Sequence, residues 1–511
     1  GDTSSLQALA VRSGGEFTTG GSSHDVEILA ADLTGPGHEF AFSDEDDLMV
    51  GSWDGIEGVS TLDGDARLTA EGELELAEPI KLGNGSMALE AGGRISQSVG
   101  ASLTAGSLRI VAGGPVSLSA SNSLPVLAGQ LDSGLHFETG GALTIGTVGA
   151  TDGLTLGGAA ELVSGGDMWF ERPLSVGSGG TLGLDSAGGI GQSATGILHA
   201  AALEMLAEDS VDLQSENLIT HLSAALGPVG SRFDFHTTGD LNVASVGGTE
   251  GIDARGARAE LSCGGTMTFE RDLVTSGDVR LETGEGISQT AEGALTASSV
   301  QVLSGGPIAL DSVASDVDAL AARLTAEGAA LAFLAGGELR VASAGQTTGI
   351  ETSSGDVAIG SPQGIGLDGP IMAGGGKIRI EGPTTTPRDE VIQLEGSTVT
   401  FTDRLSPGGD DAVGEIAVAG NLRLKSGSAL HVNVEGVQEG EHDAIEVMDG
   451  HLILENGEPA LSGQVTSVLS VGDALSVVEA AAATEGSFEA GSAVEISGQP
   501  LSLDYGTGVR L

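Results

Sequence analysis

The 511-residue chain contains 85 glycines, 3% aromatic residues and one cysteine, Cys263, and it sets 72 acidic against 20 basic residues for a net charge of −52. Binding a phosphate backbone needs clustered Lys and Arg, so nucleic acid is excluded as a partner, and a bare anionic membrane surface is disfavoured for the same reason. A lone cysteine rules out a disulfide framework or zinc ribbon, and the absence of any run of 18 apolar residues rules out a transmembrane helix.

Hydrophobic residues still make up 40% of the chain and fall in short alternating runs, which argues against disorder. With so few aromatic residues to fill a bulky core, apolar area must be buried through many Leu, Val, Ile and Ala contacts in a thin one.

The chain opens Gly1-Asp2-Thr3, with neither an initiator Met nor a basic and apolar leader, so a removed secretory leader or excision from a longer precursor is expected. Leu6 to Gly15 and Val26 to Leu33 match the second half of a later unit, Val300 to Leu310 and Val317 to Leu324. The array therefore begins mid-unit, and its first coil is expected to be covered by more chain or by the end of another copy. Two acidic stretches follow, Asp44-Glu45-Asp46-Asp47 and Asp63-Gly64-Asp65.

Four marks then recur every 98 residues: Asp54-Gly55-Ile56, Asp152-Gly153-Leu154, Glu250-Gly251-Ile252 and Thr348-Gly349-Ile350. Between them, Ile95-Ser96-Gln97, Ile190-Gly191-Gln192 and Ile287-Ser288-Gln289 form a second series, and the segments Asp167 to Arg172 and Thr266 to Arg271 pair as a third. Self-similarity at a fixed period is the signature of a solenoid. Within a unit, runs of three to five alternating residues separated by Gly, Asp, Ser or Asn read as short strands joined by tight bends. Sharing 98 residues among four coils gives roughly 24 per coil, and a stack with one strand spacing per coil is expected to reach on the order of 100 Å. Residues 317 to 327 are rich in helix formers, but the counterparts from Asn122 and Asn217 carry an internal Pro and β-branched residues, so a shared strand is predicted.

The string Gly286-Ile287-Ser288-Gln289, Leu295-Thr296-Ala297, Val300 to Leu310, Leu320-Ala321-Ala322 and Gly337 to Val341 resembles repeats of filamentous-haemagglutinin-like bacterial surface proteins. The resemblance covers about residues 1 to 380 and implies a right-handed parallel β-helix, exported and used for adhesion or matrix building. Segments at Gly427 to Val434, His442 to Val447, Gly472 to Val478 and Leu503 to Tyr505 resemble the closing module of autotransporter-like solenoids. The expected class is thus an all-β parallel β-solenoid with a distinct C-terminal β module. Its expected divisions are a partial repeat (1–55), three full repeats (56–153, 154–251, 252–349), a partial repeat and transition (350–411) and the closing module (412–511).

Parallel β-helices also carry polysaccharide lyases and hydrolases, which makes such an enzyme the alternative function. That chemistry needs convergent carboxylates, usually beside aromatic sugar platforms, and Trp53, Trp169 and Tyr505 are the only Trp and Tyr residues. No catalytic or cofactor-binding residue is singled out, and Gly364-Ile365-Gly366-Leu367-Asp368-Gly369 is set aside because Pro370 stands where a nucleotide site needs a helix. Calcium favours several oxygen ligands, and Asp44, Asp46, Asp47, Asp63 and Asp65 are the candidates for a structural ion. The expectation is a secreted, non-enzymatic surface scaffold, its partners being other copies through the solenoid ends and cell-surface or matrix components.

Overall fold

A computed structural model describes residues 6–19, 24–227, 232–388, 390–455, 459–467 and 469–511. The opening Gly1-Asp2-Thr3 lies outside the described residues. The chain divides into two compact units, Gly1–Gly256 and Ala257–Leu511.

The first unit is a parallel β-solenoid whose strands are short because Gly-rich bends interrupt them. Within a strand buried and less buried positions alternate, as in Ser86–Ala91, where Met87, Leu89 and Ala91 point inward. The same inward position recurs once per coil, so Leu48, Leu74, Ile95, Val116, Leu135, Ala160, Leu182, Leu203 and Leu222 stand in one register row. All nine are buried. Burying one such aliphatic side chain contributes about 1.5–3 kcal/mol, and repetition in register gives a core without large aromatic residues. Coil length runs from 19 residues, Leu203 to Leu222, to 26, Leu48 to Leu74.

The Ile-x-Gln series marks a corner. Gln97 Nε2 donates to the Ala101 carbonyl and to Asn122 Oδ1, whose own amide returns a bond to Gln97 Oε1. Asn122 Oδ1 also accepts the Leu103 amide, so two consecutive coils are tied at the bend. Gln192 and Asn217 repeat this arrangement, with Leu198 in the place of Leu103. Buried polar groups are tolerated because each finds partners.

The second unit repeats the architecture. Ile287, Ile308, Leu331, Val357, Ile378, Val399, Leu422 and Leu452 form its inward row. The segment rich in helix formers is the strand Asp316–Glu327, paired in parallel with Leu295–Ser304. Strand pairing along both edges and the burial of Val317, Leu320 and Leu324 override local propensity. A distinct C-terminal β module follows. Strand Ser476–Ala480 pairs in parallel with Ala444–Val447, and Gly508–Arg510 runs antiparallel to it. Beside them Ala493–Ile496 and Gln499–Ser502 form a hairpin. The Tyr505 hydroxyl donates to the Gly491 carbonyl and accepts the Phe488 amide, fixing this end of the sheet.

Candidate functional site

Among the described residues, four antiparallel hairpins leave the parallel coils: Ser52–Trp53 with Ile56–Glu57, Thr147–Val148 with Thr151–Asp152, Ser245–Val246 with Thr249–Glu250, and Ser343–Ala344 with Thr347–Thr348. Each is inserted into a strand that is continuous in the preceding coil. Strand Val26–Pro36 pairs with Leu48–Val50 before the first hairpin and with Val59–Leu62 after it. The base is closed by three backbone bonds: the Gly51 amide reaches the Leu29 carbonyl, Gly58 reaches Gly51, and Ala31 reaches Gly58. Gly146 and Gly153, Ala244 and Gly251, and Ala342 and Gly349 close the other three in the same way. The hairpins are thus added without breaking the ladder.

The base glycine is dictated by geometry. Gly58, Gly153, Gly251 and Gly349 have φ of 69°, 69°, 65° and 68°, a region that residues with a Cβ avoid. A Cβ at Gly58, Gly153 or Gly349 would also stand 1.9, 2.1 or 2.1 Å from the carbonyl oxygen of Pro79, Pro173 or Pro370 in the next coil. These glycines identify the equivalent positions, and they move one mark of the sequence period. Asp54-Gly55 is the tip of the first hairpin, with φ of 50° and 74°. Glu57-Gly58-Val59, not Asp54-Gly55-Ile56, therefore matches Asp152-Gly153-Leu154.

The last three hairpins are clasped against the coils. Arg109 Nε donates to Thr151 Oγ1 at 2.8 Å, Thr249 Oγ1 donates to Glu204 at 2.8 Å, and Gln301 donates to Thr347 Oγ1 at 2.8 Å. Arg109 is held in turn by Glu90, whose carboxyl stays below its usual range because bonds from Arg109 and Arg67 outweigh its burial. Val148, Val246 and Ala344 are buried underneath. From the following coil Arg172 Nε donates to Thr147 Oγ1. The first hairpin has Ile56 at the Thr position and presents Trp53, which is 43% exposed.

Successive hairpins in the first unit occupy different ladders. The first leaves the coils after the row of Leu48, and that row runs on through Leu222 to Val243, which carries the third. The second leaves after the row of Phe40, Ala66, Met87, Leu108, Leu127 and Ile145. Between consecutive hairpins lie four coils and one further strand: the chain passes from Leu48 to Leu135 in four steps, and Leu143–Ile145 comes next.

The calcium candidates fall on two bends, Asp44, Asp46 and Asp47 at one and Asp63 and Asp65 at the other. Asp44 is buried and accepts the amides of Val26 and Asp46. Burial, with the Asp46 side chain adding to it, pushes the Asp44 carboxyl up to about 7 against the pull of those two amides. Asp47 accepts the Glu73 amide, Asp63 accepts Asn84 and Asp65 accepts Ser86, each from the next coil, while Asp46 is exposed. Among the described residues no three His, Cys, Asp or Glu side chains are gathered to hold a metal ion. The hairpins and their clasps escaped the sequence reading, although the recurring Val148-Gly149-Ala150-Thr151, Val246-Gly247-Gly248-Thr249 and Ala344-Gly345-Gln346-Thr347 spell them out.

No family model, no curated protein and no solved structure matches this chain.

Proposed function

We propose that this is a secreted, non-enzymatic structural or adhesive protein of a bacterial surface, in which the coils are scaffold and the hairpins, with the acidic exterior around them, are the contact elements. The observation that carries this reading is the fourfold insertion of one hairpin at equivalent positions without interruption of the ladder. A catalytic groove is a single convergent place, whereas an external element repeated at fixed intervals suits many weak contacts to a repetitive partner, which add through effective concentration. Placement on alternating ladders offers contacts on more than one side. The partners are cell-surface or matrix components and other copies meeting through solenoid ends.

The test removes the contact elements and keeps the scaffold. Deleting residues 52–57, 147–152, 245–250 and 343–348 joins each pair of closing residues directly. Such a chain is expected to retain its β circular dichroism and to lose binding to cell- or matrix-coated surfaces and lateral association seen by electron microscopy. Unchanged binding and association overturn the reading, as does release of sugar products from a polysaccharide panel by the intact chain.

A further inference from the structure

We propose that the C-terminal module binds a basic peptide segment of another protein in an acidic groove, a site separate from the hairpins. The groove has a volume of about 740 Å³ and is lined by Glu390, Glu415, Glu439, Glu446 and Glu479 with Val391 and Val437. Pockets of about 300–1,000 Å³ are those that bury a small ligand or a short stretch of chain.

Strand pairing builds one wall. Val391, Glu415 and Ala444 are register partners on successive coils; Glu446, two residues beyond Ala444, pairs with Glu479, so Glu415 and the Glu446–Glu479 pair stand in neighbouring rows. The other wall is an arm, residues 435–441, closed by bonds from the Glu435 and Gly436 amides to the Glu441 carbonyl and by the bridge from Val434 to His442. It brings Glu439 and Val437 to the opening. Val391 and Val437 are 51% and 42% exposed, so apolar surface alternates with carboxylate.

His442 supplies an independent sign that something is bound here. It lines the groove at the foot of the arm, is 9% exposed, and its Nδ1 is buried with no hydrogen-bond partner. Leaving a buried polar atom unpaired is costly, and a turn of the imidazole that brings this nitrogen to a ligand donor in the groove removes the cost.

Charge complementarity selects the occupant. Five carboxylates and, among the described lining residues, no Lys or Arg call for cations, while the valines call for apolar side chains between them. A metal ion is the poorer match, because no three of these groups converge on one point. Another copy is poorer still: the 20 basic residues are scattered through 511, and no five-residue segment of this chain holds three of them.

The test uses the full chain and a fluorescent Lys-Val-Lys-Val-Lys peptide, read by anisotropy at 0.15 M salt. The triple substitution Glu415→Gln, Glu446→Gln, Glu479→Gln is expected to weaken binding about tenfold, from a few tenths of a kcal/mol to one per exposed charge. A control triple on the hairpins, Asp54→Asn, Asp152→Asn, Glu250→Gln, removes the same net charge and is expected to leave affinity within about twofold. Equal losses in the two triples overturn the proposal, because general attraction to a −52 chain then explains binding. It is also overturned by no binding to the intact chain, or by calcium displacing the peptide at stoichiometric concentration. Unchanged far-ultraviolet dichroism in both triples separates lost contact from lost fold, and in Val437→Ser, which leaves charge untouched, a loss of several-fold is expected. Hairpin deletion leaves this binding intact, so its outcome is independent of the adhesion assay.

Discussion

Two kinds of glycine sit within a few residues of each other in the first hairpin and differ in what surrounds them. Gly55, at the tip, has φ of 74° and nothing within 4 Å of a built Cβ, whereas Gly58, at the base, has φ of 69° and the Pro79 carbonyl at 1.9 Å. Gly55→Ala therefore incurs the left-handed backbone strain alone, about 1 kcal/mol. Gly58→Ala adds displacement of a backbone carbonyl that also accepts the Val59 amide, and about 3 kcal/mol is expected. Urea unfolding followed by dichroism checks the order; equal costs would remove the base glycine as the marker of equivalent positions. This pair also explains why the period was legible while its register was not. Asp54-Gly55 and Asp152-Gly153 share a spelling, but the contact that separates tip from base involves Pro79 and Pro173 one coil later. A second residue-scale expectation concerns Asp443, whose carboxylate accepts the Asn433 and Gly414 amides. Burial pushes it up to about 7 against those bonds. The folded state thus holds this proton more tightly than the unfolded chain, whose carboxyl titrates near 3.8. Its stabilising contribution is full below about 4, falls as pH rises to about 7 and is flat beyond, by up to about 1.4 kcal/mol per pH unit within the window. Relative to the wild type, Asp443→Asn is expected to flatten stability against pH over that interval in the C-terminal module, measured by urea titrations at several pH values.

At the level of elements, the three corner locks are a natural substitution series. Asn122 and Asn217 close the first two, but Ser315 stands at the third, where it accepts the Leu295 amide and a long 3.4 Å bond from Gln289. Gln289 Oε1 is left buried without a partner. Ser315→Asn restores the amide that answers Gln97 and Gln192 elsewhere, and a gain of about 1 kcal/mol is expected. The converse, Asn122→Ala, strips partners from Gln97 and from the Leu103 amide and is expected to cost about 2–3 kcal/mol. Hydrogen exchange at Leu103 and Leu295 reads both locally, which matters because repeat arrays need not unfold in one step. The Ile-x-Gln spacing was visible in the sequence because that half of the corner recurs at all three places, even where Ser315 replaces the Asn. The hairpins were not, since two-residue strands around a Gly-containing tip look singly like any other bend, and only aligning Val148 to Thr151, Val246 to Thr249 and Ala344 to Thr347 marks them. The acidic groove was hidden for a different reason: its glutamates come from segments between Glu390 and Glu479, and only coil register brings them together. Among 72 acidic residues, nothing local distinguishes those five.

For the molecule as a whole, a charge of −52 opposes compaction, and the ion pairs offset only part of it. Most arginines already sit against carboxylates, as Arg280 does between Glu260 and Glu282 and Arg67 beside Glu90, so the excess acid is exposed and mutually repelling. Screening acts on such exposed charge, the Debye length falling from about 30 Å at 0.01 M to about 10 Å at 0.1 M salt. Raising sodium chloride from 0.01 to 0.3 M is therefore expected to increase the melting temperature by several degrees, with most of the gain below 0.1 M. Calcium separates this general effect from a built site. Asp47, Asp63 and Asp65 are spent on amides of the next coil, and Asp44 is buried against two more. Converting them to ion ligands would break bonds that join the coils. At 1 mM in 0.3 M sodium chloride, calcium and magnesium are thus expected to shift the melting temperature equally and by less than about a degree, since stabilisation by a ligand requires preferential binding to the folded state. A calcium-specific rise abolished by Asp63→Asn and Asp65→Asn would instead place an ion at this bend.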